Sequence, residues 1–322
     1  DDAILFFNAD YFKMRLLDAV QGESKPQAVL FDAEAVTSID VSGVAALVAG
    51  LAAVAACGAA MAALARDDRW LARIAVPLLF GVLLLWLWEM VTVGFGVPRI
   101  LLPPPSMIAA AIGSHLPTLA ADFHQTVIRS VIPGYAIGCG AGFLTALAID
   151  RSPFLQKGLL PLGSLVSAMP IVGIAPIMVM WFGFDWQSKA AVIVVMTFFP
   201  MLVNTLAGLR AAGAMELDLM RSYAAGYGQT LMKLRLPAAL PFVFNALKLN
   251  STLALIGAIV AEFFGTPIVG MGFRISTEVA RMNVDVVWAT IAVAALVGSA
   301  SYGIISVIER GATFWHPSFR QH

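Results

Sequence analysis

The chain has 322 residues, of which 60% are hydrophobic and 12% are charged, and its mean hydropathy is +0.85. This composition excludes an ordinary soluble domain, because globular chains are about half apolar and about a quarter charged. The formal net charge of zero gives no reason to expect nucleic acid or an acidic substrate as a partner.

The sequence also lacks the usual motifs of hydrolytic enzymes and metal sites. It contains no GxxxxGK[ST], HExxH or GxSxG motif. Cys57 and Cys139 lie in apolar runs without metal-ligand spacing, so we interpret them as small buried side chains. We therefore predict no catalytic residue, no metal site and no directly bound cofactor.

The first 66 residues have the pattern of a soluble α/β segment. Residues 3–7 and 28–32 are apolar runs of strand length, and Phe12, Leu16 and Val20 lie between them at helical spacing. The stretches NADYFKMRLLDAV and AVLFDAEAVTSIDVSGVAAL resemble part of a STAS domain, a cytoplasmic module of sulfate-permease-type carriers and anti-sigma-factor antagonists. We therefore predict a partial STAS-like cytoplasmic segment over residues 1–66.

Ser42 lies in a loop, Asp40-Val-Ser-Gly43, that opens a helix in STAS domains. The resemblance implies that Ser42 matches the position phosphorylated in the antagonists. The alternative is a hydroxyl that only caps the following helix. We expect no cleavable signal peptide, because no basic stretch precedes an apolar core at the start of the chain.

Residues 43–65 carry no charge and allow two interpretations. They form either a seventh membrane span or the helix and strand that continue the STAS-like unit. The segment is rich in Ala and Gly and contains no Ile or Phe, which makes it a weak candidate for membrane insertion. We favour the interpretation that it does not span the membrane.

Six apolar spans follow, each close to the roughly 20 residues that cross about 30 Å of hydrocarbon. They are approximately residues 74–95, 126–149, 158–182, 189–209, 239–263 and 285–308. The third contains Pro161, Pro170 and Pro176, so we predict that it is kinked or broken. Pro170 and Pro176 are therefore candidates for lining a pore, although bending against neighbouring helices would also explain them.

The basic residues in the connections predict the orientation of the chain. The inner side holds Arg66, Arg69, Arg73, Arg151, Lys157, Arg210, Arg221, Lys233, Arg235, Arg310 and Arg320, and the outer side holds Arg99, Lys189, Arg274 and Arg281. Because cytoplasmic loops carry the excess of Lys and Arg, we predict that both termini and the 210–238 loop are cytoplasmic.

Small and charged residues within the spans indicate packing and possible solute contacts. Gly134, Gly138 and Gly142 form a stripe on one face of the second span, which favours close packing of two helices. Charges inside a membrane are costly unless they are paired or face water. The charged residues in or beside spans are Glu89, Arg129, Lys248 and Glu262.

We expect Arg129 and Glu262 to pair with each other or to contact an anionic solute, since both fall toward the outer leaflet. Lys248 lies close enough to the inner end of its span to reach the interface by snorkelling.

The polar loop at residues 210–238 is the most distinctive segment of the chain. Glu216–Tyr223 is predicted to form a short helix that breaks at Gly226-Tyr-Gly228. Residues 229–234 are predicted to form a second helix, which Pro237 stops. Two short helices across the mouth of a bundle would form a knob that a soluble partner can grip.

The loop resembles the cytoplasmic loop of permease subunits of binding-protein-dependent ABC importers, in particular the nitrate, sulfonate, taurine and bicarbonate group. That loop has the pattern E-A-A-x3-G, followed by L-P. Aligned on Leu236-Pro237, Asp218 takes the acidic position, Leu219 and Met220 the two alanines, and Ala224 the glycine. The coupling residues that the resemblance implies are Asp218, Arg221, Ala224, Ala225, Gly226, Gly228, Gln229 and Pro237.

The resemblance extends over about residues 70–322. Further matching stretches are Leu101-Leu-Pro-Pro-Pro-Ser106, Trp181-Phe-Gly-Phe184, Phe198-Phe-Pro-Met-Leu-Val-Asn204 and Ala261-Glu262. It implies an all-α polytopic membrane protein with the six-helix core of type I ABC importers, formed by residues 67–322.

The implied function is import of a small anion or sulfonate-like solute across the inner membrane by alternating access. The implied partners are ATPase subunits that bind ATP and Mg²⁺, an external solute-binding protein, a second permease copy forming a homodimer, and membrane lipid. On this basis the chain is not itself an enzyme, and ATP is hydrolysed in the separate subunit. Two alternatives are a secondary anion carrier of the sulfate-permease type and a STAS-regulated transporter.

Overall fold

The computed structural model describes residues 58–59, 70–167, 169–265 and 268–314. Ser42, almost all of the STAS-like segment and the 43–65 stretch lie outside the described residues. The chain divides into two compact units, one ending at Met107 and the other beginning at Ile108. Within the described ranges all regular secondary structure is helical, which confirms the predicted fold class.

The helices, in chain order, are α1 (Trp70–Gly94), α2 (Pro105–Ser114), α3 (Leu116–Phe123), α4 (Ile132–Arg151), α5 (Pro153–Ser167), α6 (Ile171–Phe182), α7 (Trp186–Leu209), α8 (Ala214–Ser222), α9 (Tyr227–Thr230), α10 (Leu236–Glu262), α11 (Met271–Ala280) and α12 (Val284–Ala312). Two π-helical segments, His124–Val131 and Leu231–Arg235, connect α3 to α4 and α9 to α10.

Among the described residues, five helical stretches are long and apolar enough to cross a membrane, and one bent pair supplies a sixth candidate. The five are Ala75–Gly94, Leu116–Arg151, Trp186–Leu209, Tyr227–Glu262 and Val284–Ala312. Two of them have 36 residues, which corresponds to about 54 Å and exceeds the hydrocarbon thickness of about 30 Å. Both therefore extend beyond the membrane.

The third predicted span is broken, as its prolines indicate. The axes of α5 and α6 meet at 99°. Pro170 has an extended backbone immediately before α6, and Pro161 and Pro176 lie inside α5 and α6. The chain thus changes direction within one apolar segment.

Each π-helical segment comes just before a proline, Pro133 in one case and Pro237 in the other. The last N–H before each proline donates to the carbonyl oxygen five residues earlier. The wider π turn makes room for the proline ring. The helix therefore continues, although proline has no N–H to donate. The prediction that Pro237 stops a helix is therefore wrong, and the loop between the two long helical stretches is confined to residues 210–226.

Helix α7 lies at the centre of the second unit, between α4 and α10. Its contacts with α4 follow the glycine stripe: an added Cβ would lie 2.8 Å from Ile193 at Gly134, 2.1 Å from Thr197 at Gly138 and 2.5 Å from the carbonyl oxygen of Phe198 at Gly142. Since contacts advance in the same direction along both helices, α4 and α7 are parallel. The stripe allows their backbones to approach closely.

Helix α10 also packs against α7 and runs antiparallel to it. Gly208 near the end of α7 meets Ala239 near the start of α10, and Gly257 later in α10 meets Met196. The last turn of α7 and the first turn of α10 therefore lie at the same end of the bundle. The 210–226 loop emerges from this end.

Candidate functional site

The loop between α7 and α10 contains a short, well-capped helix, α8. The Glu216 carboxylate accepts a hydrogen bond from the N–H of Gly213 at 3.0 Å, which satisfies a backbone donor at the start of the helix. None of the residues of α8 is buried. Leu217 and Met220 are half-buried and its other residues are exposed, so its stability comes more from local capping than from packing against the bundle.

Helix α8 is terminated by Ala224, which lies two residues beyond its end at Ser222 and whose φ of +52° lies in the left-handed region. The N–H of Ala225 donates to the carbonyl of Met220 at 3.0 Å, as in a Schellman motif. Glycine is the usual residue in this conformation because it has no Cβ. The motif alignment also places Ala224 at the family's glycine, so two independent observations mark the same position.

A second cap follows at the start of α9. The side-chain oxygen of Gln229 accepts a hydrogen bond from the N–H of Gly226 at 3.2 Å. Gln229 thus has a structural role at the junction between the loop and the long helix. Gly228 lies inside α9, and an added Cβ there would meet nothing within 4 Å.

One face of α8 is apolar and exposed. Met215, Leu219 and Tyr223 are spaced four residues apart and are 85%, 56% and 77% exposed. Asp218 and Arg221 form an ion pair at 2.9 Å, but both side chains are more than two-thirds exposed, so the pair contributes little stability. Grouped apolar side chains exposed outside the membrane mark protein interaction surfaces.

The loop is fixed to the bundle by a polar cluster that we call the loop anchor, consisting of Asp150, Tyr227, Arg235 and the carbonyl of Leu209. Arg235 donates to both carboxylate oxygens of Asp150 at 2.7 Å. Its Nε donates to the Leu209 carbonyl at 2.9 Å, and the Tyr227 hydroxyl donates to Asp150 at 2.8 Å. The anchor therefore joins the ends of α4 and α7 to both α9 and the π-helical segment before α10.

The other end of α10 holds a second buried polar cluster, at the N-terminus of α11. Thr126 donates to Glu262 at 2.9 Å, and the N–H of Gly272 donates to Glu262 at 2.7 Å. The N–H of Met271 donates to the Thr126 hydroxyl at 2.8 Å. Glu262 and Thr126 are thus occupied in satisfying the free N–H groups at the start of a helix.

Asp122 completes that cluster. It accepts a hydrogen bond from the N–H of Gly270 at 2.8 Å and forms an ion pair with Arg274 at 2.8 Å. The hydrogen bond to Asp122 raises the pKa of Arg274. Asn283 donates to Glu278 at 2.7 Å, and this bond, together with Arg281 and Arg274, lowers the pKa of Glu278.

Arg129 does not pair with Glu262. Arg129 is exposed and Glu262 is 2% exposed, and the carboxylate of Glu262 is bound by Thr126 and Gly272 instead. The expected pair fails because Thr126 takes the face of the helix toward Glu262, whereas Arg129 points away from it. Arg129 lines an open cleft of about 480 Å³ together with Ile128, Ile132, Pro133, Asp185 and Trp186.

The charge of Lys189 predicts a position in an outer connection, but the residue lies inside α7 and is 1% exposed. Its ammonium group donates to the carbonyls of Phe184 and Gly265. Backbone oxygens thus replace water around the charge, which is the condition for burying it.

Lys248 does not snorkel to the interface. It forms an ion pair with Glu309 at 2.7 Å, and the two side chains are 16% and 8% exposed.

In the first unit, Glu89 accepts hydrogen bonds from the N–H and the hydroxyl of Ser106 at 2.9 and 2.6 Å, and so caps α2.

Asp150, Asp122 and Thr126 are functional-site residues that the sequence does not predict. Asp150 lies beside Arg151 at the end of a span, and only its charge near an apolar segment marks it. In the part of the chain that the structure describes, no group of three His, Cys, Asp or Glu side chains is placed to hold a metal ion.

Comparisons with known proteins agree with this geometry. Residues 138–313 match the family of binding-protein-dependent transport system inner membrane components, and residues 1–62 match the STAS domain. The chain is 32% identical to a probable ABC transporter permease protein of Haemophilus influenzae over 68% of this chain and 89% of that protein.

Two further relatives cover similar shares. The formylaminopyrimidine transport permease ThiX of Halalkalibacterium halodurans is 29% identical over 74% of this chain and 95% of its own length. The taurine transport system permease TauC of Escherichia coli is 26% identical over 77% of this chain and 93% of its own length.

Proposed function

Because the chain belongs to the family of binding-protein-dependent transport system inner membrane components, we propose that it is the membrane permease of an ATP-driven importer. It is an integral inner-membrane transport component. The observation that carries the proposal is the exposed apolar face of α8, on a loop fixed to the bundle by the loop anchor.

The proposed partner at this loop is a separate ATPase subunit, which binds ATP and Mg²⁺. Met215, Leu219 and Tyr223 would enter an apolar groove of that subunit, because aromatic and large apolar side chains supply most of the energy of such interfaces. Asp218 and Arg221 flank this face and would contribute to specificity more than to affinity.

The proposed mechanism is alternating access. ATP binding shifts a population of conformations only if one arrangement of the permease has better contacts with the ATPase pair than the other. In this proposal α8 makes those differential contacts, and the break between α5 and α6, with Pro170 and Pro176, lies in the part of the bundle that rearranges.

The proposed solute is a small anion or a sulfonate-like compound. Relatives of this chain are named as transporters of taurine, aliphatic sulfonates and bicarbonate. Arg129 in the open cleft is a cation that such a solute would meet on its way to the pore. The Asp185 carboxylate in the same cleft accepts a hydrogen bond from the N–H of Trp186 at 2.8 Å.

The proposed assembly is a homodimer of permease chains with two ATPase subunits and an external solute-binding protein. In this arrangement both termini, the STAS-like segment and the 210–226 loop are cytoplasmic, as the distribution of basic residues predicts.

Reconstitution into liposomes tests the proposal. The full chain is assembled with its ATPase subunit and solute-binding protein, and uptake of labelled taurine, an alkanesulfonate, nitrate and bicarbonate is measured with and without ATP. Uptake of one of them that requires ATP and the ATPase supports the proposal. Uptake that persists without any ATPase subunit contradicts it and supports the sulfate-permease-type carrier.

A further inference from the structure

The loop that holds α8 has two attachments to the bundle, one on each side. On one side α7 ends at Leu209, and on the other the chain enters α9 at Tyr227. Because α8 has no buried residue and only Leu217 and Met220 are half-buried, force applied to it passes to the bundle chiefly through these two attachments. Backbone rotations at flexible attachments would absorb such a force.

Both attachments are held by the same ion pair. The guanidinium of Arg235 binds the Leu209 carbonyl before the loop at 2.9 Å, and the carboxylate of Asp150 binds the Tyr227 hydroxyl after the loop at 2.8 Å. Two further hydrogen bonds of 2.7 Å join Asp150 to Arg235. Such a bidentate pair fixes orientation as well as distance.

The pair is also shielded from water. The Asp150 and Arg235 side chains are 6% and 17% exposed. Arg151, next to Asp150, stacks its guanidinium 5.7 Å from the centre of the Tyr227 ring, which adds a second contact to the same tyrosine. Salt screens the attraction between such shielded charges only weakly. The attraction therefore stays strong enough to hold the two side chains in one geometry.

We propose that the loop anchor is the positioning device that makes α8 move together with α4, α7 and α10 as one body. Asp150, Tyr227 and Arg235 are then positioning residues for coupling, and the anchor is what turns docking at α8 into movement of the pore helices. The inference rests on the proposed function, since it assumes that an ATPase subunit docks at α8.

The chain supplies a matched control for the anchor. Lys248 and Glu309 form an ion pair with the same 2.7 Å distance and nearly the same exposure, 16% and 8%, but they join α10 to α12 and do not touch the loop. Glu309→Gln leaves the buried Lys248 unpaired and so disturbs the fold at least as much as Arg235→Lys or Tyr227→Phe, which makes it a control for general loss of stability.

The test is hydrogen exchange measured on the full chain in complex with its ATPase subunit, before and after ATP and vanadate are added. In the unsubstituted complex we expect the nucleotide to change exchange in residues 210–226 and also in α4 and α7. In Arg235→Lys and Tyr227→Phe, the change in the loop should remain, whereas the change in α4 and α7 should fall by about fivefold or more.

Tyr227→Phe removes a single hydroxyl and Arg235→Lys keeps the charge, so both variants should still assemble with the ATPase subunit. Glu309→Gln should leave the response of α4 and α7 intact. A full response of α4 and α7 in both anchor variants would overturn the proposal, and so would an equal loss in Glu309→Gln. If the unsubstituted chain does not bind the ATPase subunit, the proposed function fails, and the anchor proposal fails with it.

Discussion

Gly138 on α4 lies directly against Thr197 on α7. A Cβ at Gly138 would lie 2.1 Å from the hydroxyl oxygen of Thr197 and 3.0 Å from the Cα of Val194. The Thr197 hydroxyl donates to the carbonyl of Ile193 at 2.8 Å, so it has little freedom to move aside. The glycine therefore sets the distance between two parallel helices.

Gly138→Ala should lower the free energy of unfolding by about 1–3 kcal/mol, because the added methyl group overpacks a close helix contact. Thermal unfolding in detergent measures this. Gly140→Ala is the control. Gly140 lies on the same helix, and a Cβ added there would meet nothing within 4 Å. Equal unfolding temperatures for the two variants would show that α4 and α7 are not packed as described.

Ala224→Gly should stabilise α8. The left-handed conformation costs alanine about 1–2 kcal/mol, and glycine removes this cost. Because glycine also loses more backbone entropy on folding, the net gain in stability is about 0.5–1 kcal/mol. Slower hydrogen exchange in residues 214–222 would show that α8 is stabilised. Ala225→Gly should give no such gain, because Ala225 does not have a positive φ. Slower exchange in that control as well would remove the conformational explanation.

Glu278 should make the fold sensitive to acid. Its pKa is lowered in the folded chain, chiefly by the hydrogen bond from Asn283, so its stabilising contribution is complete above its ordinary value of 4.5 and disappears as the pH falls through the folded value. Unfolding temperatures should therefore fall less between pH 7 and pH 3 in Glu278→Gln than in the unsubstituted chain. Parallel curves for the two proteins would contradict this assignment.

Thr126→Val should cost about 1–3 kcal/mol of stability, because the N–H of Met271 loses its buried acceptor and Glu262 loses a donor. Thr290→Val is the matched control. Both threonines are 0% exposed, but the Thr290 hydroxyl bonds only to the carbonyl of Val286 in its own helix. Chemical denaturation of both variants measures the difference, and similar midpoints would argue against the capping role of Thr126.

The membrane spans and the broken third span follow from the sequence, because both depend on local composition. Runs of apolar residues of sufficient length fix the spans, and Pro161, Pro170 and Pro176 indicate the break. The glycine stripe on α4 is likewise visible as a repeat of four residues.

Contacts between distant residues are not visible in the same way. Asp150 and Arg235 are 85 residues apart, and no local spacing relates them. Pro237 is expected to end a helix, but the preceding π-helical segment accommodates it. Lys189 has the charge of a loop residue, yet two backbone carbonyls make its burial possible. In each case tertiary packing decides what the local pattern leaves open.

The docking of α8 on an ATPase subunit is tested most directly by Leu219→Arg. Leu219 is 56% exposed at the centre of the apolar face, so the substitution should leave the fold unchanged while placing a charge where the partner's groove is expected. Val279→Arg is the control, since Val279 is 53% exposed on α11, near the opposite end of α10.

The measurement is the dissociation constant between the full chain and its ATPase subunit. The account predicts that Leu219→Arg weakens binding by about thirtyfold or more, the scale of an interface hot spot, and that Val279→Arg leaves it unchanged. Unchanged binding in Leu219→Arg would contradict the account.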